Sequence, residues 1–194
     1  MGLHILSRET IVDRPVEEVF GFFTTAANLG LVTPPSMGFR FREDPPGQLS
    51  VGAVVRYQVR LAGIPISWDT RITEWDPPHR FADIQEKGPY SRWTHVHTFD
   101  AIDDNHTVMR DRVVYSVPLG PLGEVARGLF VGAQLDSIFD YRQKAFQAAL
   151  EGQPQPPGPG ALKAMLVPAG AALVAAGLTV GLLLWRRRGA AGEE

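Results

Sequence analysis

The chain has 194 residues, of which 44% are hydrophobic and 21% charged, a globular balance too apolar for a disordered chain. Its formal net charge of −2 offers no global attraction for nucleic acid, so none is expected as a partner. The absence of cysteine excludes disulfides and thiolate metal sites.

The first residues, MGLHILSRETIVDRP, contain no long apolar run, so a cleaved secretory signal is not expected. The residues after Met1-Gly2 do not fit a myristoylation signal either. Loose alternation over 4–12 predicts a first strand. Pro15 then fits the first turn of a helix, with Glu17 and Glu18 where the helix dipole favours acids. Val16, Val19, Phe20 and Phe23 make its apolar face, and Thr33-Pro34-Pro35 prevents it from continuing.

Six strands follow. Phe39 and Phe41 alternate with arginines, and Val55, Tyr57, Val59 and Leu61 alternate with Arg56, Gln58 and Arg60. Trp68, Thr70, Ile72 and Glu74 share one face of the next strand. After the Asp76-Pro77-Pro78 turn comes a short strand over 80–86. Gly88-Pro89 turns into the stretch SRWTHVHTF, and the last strand covers 107–117. Helical spacing through Val131, Leu135, Ile138, Phe139, Phe146 and Leu150 marks a long helix over 124–150. Short turns between the later strands predict an antiparallel meander, with the long helix covering one of its faces.

The proline- and glycine-dense stretch 151–160 cannot form helix or sheet and reads as a linker. Beyond it, residues 164–185 contain no charge, long enough for about 33 Å of helix at 1.5 Å per residue. That matches a bilayer core, so a single transmembrane helix is expected over 161–186, before a short charged tail at 187–194. Trp185 and Arg186 to Arg188 suit its boundary. Gly177 and Gly181 have the spacing of a close helix pair and make a weak homodimer an option. These features predict a single-pass membrane protein with a C-terminal anchor, a lipid-bilayer partner and a cytoplasmic domain over 1–150.

The segments VDRPVEEVFGFFTTAANL, ITEWDPPHRFADIQEKGPYSRWTHVHTF and DRVVYSVPLGPLG, in this order of elements, resemble the START-like or SRPBCC superfamily, which includes polyketide cyclase/dehydrase and coenzyme Q-binding members. The likeness covers about residues 1–150. It implies an α+β helix-grip fold: a curved antiparallel sheet of about seven strands, in the order β-α-β6-α, around a long C-terminal helix. It also implies a cavity for a hydrophobic or amphipathic small molecule such as a lipid, quinone or polyketide. The superfamily has no shared catalytic residue set, so none is carried over, and no cofactor is expected.

Alternation places Trp93, His95, His97 and Phe99 on the inward face of one strand, with the two histidines about 7 Å apart along it. Three readings follow. A His-x-His pair supplies two metal ligands, but spacing puts neither candidate third ligand, Asp83 or Asp111, at coordinating distance, so no metal is expected. Either histidine, oriented by Asp111 or Asp83, suits general acid/base work in a cyclase or dehydratase. The third and preferred reading is a pair of hydrogen-bonded imidazoles lining a ligand cavity. Arg142 shares the helical stripe facing the sheet, where it needs Asp111, Glu74 or an anionic ligand, or else extends its head to solvent. The expected cavity residues are therefore Trp68, Asp83, Trp93, His95, His97, Phe99, Asp111, Tyr115 and Arg142. No phosphate-binding loop, dinucleotide-binding glycine pattern or nucleophile elbow is present.

Overall fold

The computed structural model describes residues 2–61 and 63–158. Seven strands form one antiparallel sheet. They are β1 (His4–Val12), β2 (Arg40–Phe41), β3 (Val54–Leu61), β4 (Ile64–Asp76), β5 (Arg80–Lys87), β6 (Arg92–Asp103) and β7 (His106–Ser116), in the spatial order β1-β7-β6-β5-β4-β3-β2. From β3 to β7 each strand pairs with the next in sequence, as the short turns require. Two register shifts in the β4–β5 pair, at Asp69/Thr70 and Ile72/Glu74, bend and twist the ladder as bulges do.

Side-chain alternation decides which face of the sheet is covered. In β6, Trp93, His95, His97 and Phe99 are buried, while Thr94, Val96 and Thr98 are only half-buried. The helix α1 (Val16–Thr24), entered through Pro15 with Glu17 and Glu18 in its first turn, buries Val16, Val19 and Phe20. The Phe20 ring meets Trp75, Phe81 and Phe99 edge-on at centroid distances of 5.4–6.1 Å, a favoured aromatic geometry. After β7 the chain forms α2 (Gly120–Ala126), one wider turn over Arg127–Val131, and α3 (Gly132–Leu150). Leu135, Phe139, Ala145 and Phe146 of α3 are buried. Two apolar clusters result. One gathers Val12, Val19, Phe20, Ile72, Phe81, Phe99 and Phe146; the other gathers Leu6, Trp68, Trp93, Val113, Tyr115, Leu135 and Phe139.

No helix among the described residues is long and apolar enough to cross a membrane. The expectation of a single-pass membrane protein is corrected on that finding. The long helix that is described, α3, carries Asp136, Asp140, Arg142 and Lys144, because it covers a sheet with one face and meets water with the other. The apolar run 161–186, with Gly177 and Gly181, lies outside the described residues, as does the tail at 187–194. Residues 151–158 form neither helix nor strand, and the Gln155 amide donates to the Leu31 carbonyl at 2.9 Å.

The reversal from β7 into α2 depends on close backbone approach. Leu119 and Gly120 take left-handed conformations, φ 73° and 54°, and a Cβ at Gly123 would lie 1.8 Å from the Pro118 carbonyl oxygen. Alanine normally favours a helix over glycine by about 1 kcal/mol. Here the clash outweighs that gain, and Gly123→Ala is expected to lower stability by about 1–3 kcal/mol in urea denaturation.

Candidate functional site

Between the sheet and α3 lies a cavity of about 170 Å³, larger than an engineered apolar cavity of about 150 Å³ that takes up benzene. Val55, Tyr57, Trp68, Ile72, Phe81 and Trp93 of β3 to β6 line one wall, and Leu135, Ile138, Phe139 and Arg142 of α3 the opposite one. Phe22, Phe23 and the segment after α1 reach the rim, together with Met37. The lining is mainly apolar, and the polar groups concentrate in one region of it.

That region is a ladder across β5, β6 and β7. The register sets Asp83 opposite His95 and Asp111 opposite His97. His95 Nε2 and His97 Nδ1 each lie 2.8 Å from the same Asp111 oxygen, Oδ1. The His95 contact is a well-aligned hydrogen bond; the His97 Nδ1 approach is off the N–H axis, and that nitrogen has no other partner among the described residues. On the far side of the rings, His97 Nε2 is 3.6 Å and His95 Nδ1 4.0 Å from Asp83 Oδ2. The two imidazoles are 3.8 Å apart centre to centre, and His97 also stacks on Phe81 at 4.1 Å. All four polar residues are buried, each 8% exposed or less.

Burial works against the Asp111 carboxylate, but the charge of His97, the hydrogen bond from His95 and the close His97 contact outweigh it and hold its pKa well below the usual carboxylate range. Burial also disfavours the charged form of both histidines. At His97 the Asp111 charge and contacts to Asp111 and Asp83 reverse that effect, and its pKa rises. At His95 burial and the neighbouring His97 prevail over Asp111, and the pKa falls. Burial pushes the Tyr57 and Tyr90 hydroxyls up, holding both as neutral phenols.

Arg142 is the other polar group of the wall. Its guanidinium carbon sits 5.0 Å above the Phe23 ring, and its Nε is shielded from solvent with no hydrogen-bond partner among the described residues. Neither expected acid serves it. Glu74 is taken by Arg80 at 2.7 Å, and Asp111 by the histidines.

Of the residues expected in the cavity wall, Trp68, Asp83, Trp93, His95, His97 and Arg142 line it. Asp111 lies behind the two imidazoles. Phe99 is fully buried in the cluster under α1, against Phe20 and Phe23. Tyr115 packs against Tyr90 and Trp93 in the second cluster. These three share the inward face but are not among the residues that line the void. Tyr57, Thr70 and Phe22 are among the further lining residues that had not been singled out. Tyr57 and Thr70 were available from strand alternation; Phe22 lies on α1 beside the apolar face read from its spacing, and the 25–33 segment has no strand or α-helical periodicity to read.

No protein-family model matches the chain, and no curated protein sequence matches it. Solved structures with a similar fold do exist. The Zhui aromatase/cyclase from Streptomyces sp. R1128 is 18% identical, with a TM-score of 0.55 over 78% of this chain and 93% of its own. A START superfamily protein from Mycobacterium smegmatis is 15% identical, TM-score 0.57, over 77% and 98%. Norcoclaurine synthase from Thalictrum flavum is 14% identical, TM-score 0.56, over 78% and 96%. At these identities the likeness is one of fold: a helix-grip domain.

The Asp111 carboxylate should matter for stability as well as for the site. Asp111→Ala leaves a buried imidazole N–H without its acceptor and is expected to cost about 2–4 kcal/mol in urea denaturation. Asp111→Asn, which keeps an acceptor oxygen, should cost less than half as much.

Proposed function

We propose that this domain binds an apolar or amphipathic small molecule with an anionic end, the apolar body in the cavity and the anion against Arg142. The observation that carries this reading is the guanidinium itself. An arginine against apolar surface is costly unless its donors are met. Its stack on Phe23 is worth about 0.5–2 kcal/mol but supplies no acceptor. A carboxylate guest would supply two in the paired geometry that guanidinium favours. The void, its aromatic walls and a fold shared with a START superfamily protein all support an apolar guest.

Two fluorescent probes test this, cis-parinarate with a carboxylate and the neutral N-phenyl-1-naphthylamine. Both should bind, and Ile138→Trp, which fills the cavity, should weaken both by about tenfold or more. Arg142→Leu should weaken the anionic probe alone, by about 10–100-fold, the worth of a charge-assisted hydrogen-bonded pair. Failure of both probes to bind, or an equal loss for both on Arg142→Leu, would overturn the reading.

A second reading has its own support: His95 is held by Asp111 while its other nitrogen faces the cavity, an arrangement suited to a general base of a cyclase or dehydratase. The aromatase/cyclase and norcoclaurine synthase neighbours carry enzymes on the same fold. Substituting both histidines by alanine separates the two. A binder keeps most of its probe affinity, whereas an enzyme loses turnover with affinity largely retained.

A further inference from the structure

The nitrogens that do not face Asp111 have no hydrogen bond among the described residues, yet they converge. Asp83, His95 and His97 each offer one ligand atom within 4.8 Å of the other two, and His97 Nε2 and His95 Nδ1 both turn to Asp83 Oδ2. The separations from Asp83 Oδ2, 3.6 and 4.0 Å, are too long for hydrogen bonds. They are instead near the edge of a tetrahedron built on metal–ligand bonds of about 2.0–2.1 Å, which is about 3.3–3.4 Å. Closing to that edge takes about 0.2–0.3 Å at His97 and about 0.6–0.7 Å at His95. The Asp83 carboxylate is only 8% exposed and has no side-chain hydrogen bond among the described residues, a condition that a cation would relieve.

We propose that Asp83, His95 and His97 bind one divalent transition-metal ion, with Zn2+ the best match, and that Asp111 is the outer carboxylate orienting both imidazoles. A ligating histidine almost always gives its second ring nitrogen to a carboxylate, carbonyl or water, which fixes the ring and its tautomer. Here one carboxylate oxygen lies 2.8 Å from the second nitrogen of each ring. Two imidazoles and a carboxylate, without sulfur, suit zinc or ferrous iron and disfavour calcium and magnesium. The three ligands line the cavity whereas Asp111 does not, so a fourth position opens towards a guest. Three protein ligands with one open position is the pattern of reactive rather than structural zinc. Spacing along the chain supplied only two ligands; the β5–β6 register supplies the third. An ion here occupies the nitrogens that a general base would need, so it replaces the acid/base role of the histidines.

Metal binding at this site does not depend on the nature of the guest. The full chain, stripped with EDTA and desalted, is titrated with Zn2+ by calorimetry, and its bound metal counted by mass spectrometry after a second desalting. One Zn2+ per chain is expected. His97→Ala and Asp83→Asn should each weaken binding about 100-fold or more, and Asp111→Asn about 10–100-fold, as outer-ligand changes do. His106→Ala, at the exposed pair with Asp103, should change nothing. Co2+ should give a visible absorption band that Asp83→Asn abolishes. Binding of N-phenyl-1-naphthylamine by each variant reports that the cavity is still formed. No retained zinc, or zinc unaffected by Asp83→Asn and His97→Ala in variants that still bind the neutral probe, would overturn the site and leave the cavity reading standing. Retained zinc without probe binding would do the reverse.

Discussion

A carboxylate buried between two imidazoles is the constraint around which this interior is arranged. Asp111 has left water for the inner side of β7, and its position is tenable because His95 and His97 both lie 2.8 Å from one of its oxygens. The partners come from one strand because alternation returns every second residue to the same face, and from the neighbouring strand because the register sets His97 opposite Asp111. A one-residue slip would send both imidazoles to the outer face and leave the carboxylate alone. The ladder therefore specifies the β6–β7 pairing as firmly as the apolar residues around it do.

The cavity follows from how that sheet is covered. At one end α1 and the last turns of α3 pack rings against rings, with Phe20, Phe81, Phe99 and Phe146 in close contact. At the other, Trp68, Trp93 and Tyr115 pack beneath Leu135 and Phe139. Between these fillings lies the cavity, whose lining mixes aromatic surface with the polar ladder and Arg142. Apolar space beside unmet polar donors is the usual composition of a small-molecule site. Arg142 and Asp83 have the same diagnostic value: each is a charged group in the cavity wall, and each lacks a hydrogen-bonded protein partner among the described residues.

The helix-grip scaffold is shared with proteins of different activities, so the fold alone does not name a reaction. The cavity wall carries two polar features, one anionic and imidazole-rich on the sheet and one cationic on the helix.

Much of this was readable along the chain. The succession of strands and helices along the chain, the inward direction of Trp93, His95 and His97, the amphipathic closing helix and the placement of Arg142 on its sheet-facing stripe all follow from periodicities of two and 3.6, which are local properties of backbone geometry. Other features needed the folded chain. That Asp111 backs the histidines while Asp83 faces their free nitrogens depends on registers between strands, set by turns and bulges whose shifts no single-strand pattern records. That Phe99 and Tyr115 are packed away from the void, although they share its face, depends on which helix covers each end of the sheet. Local sequence determines which way a side chain points; only packing at long range decides what it meets there.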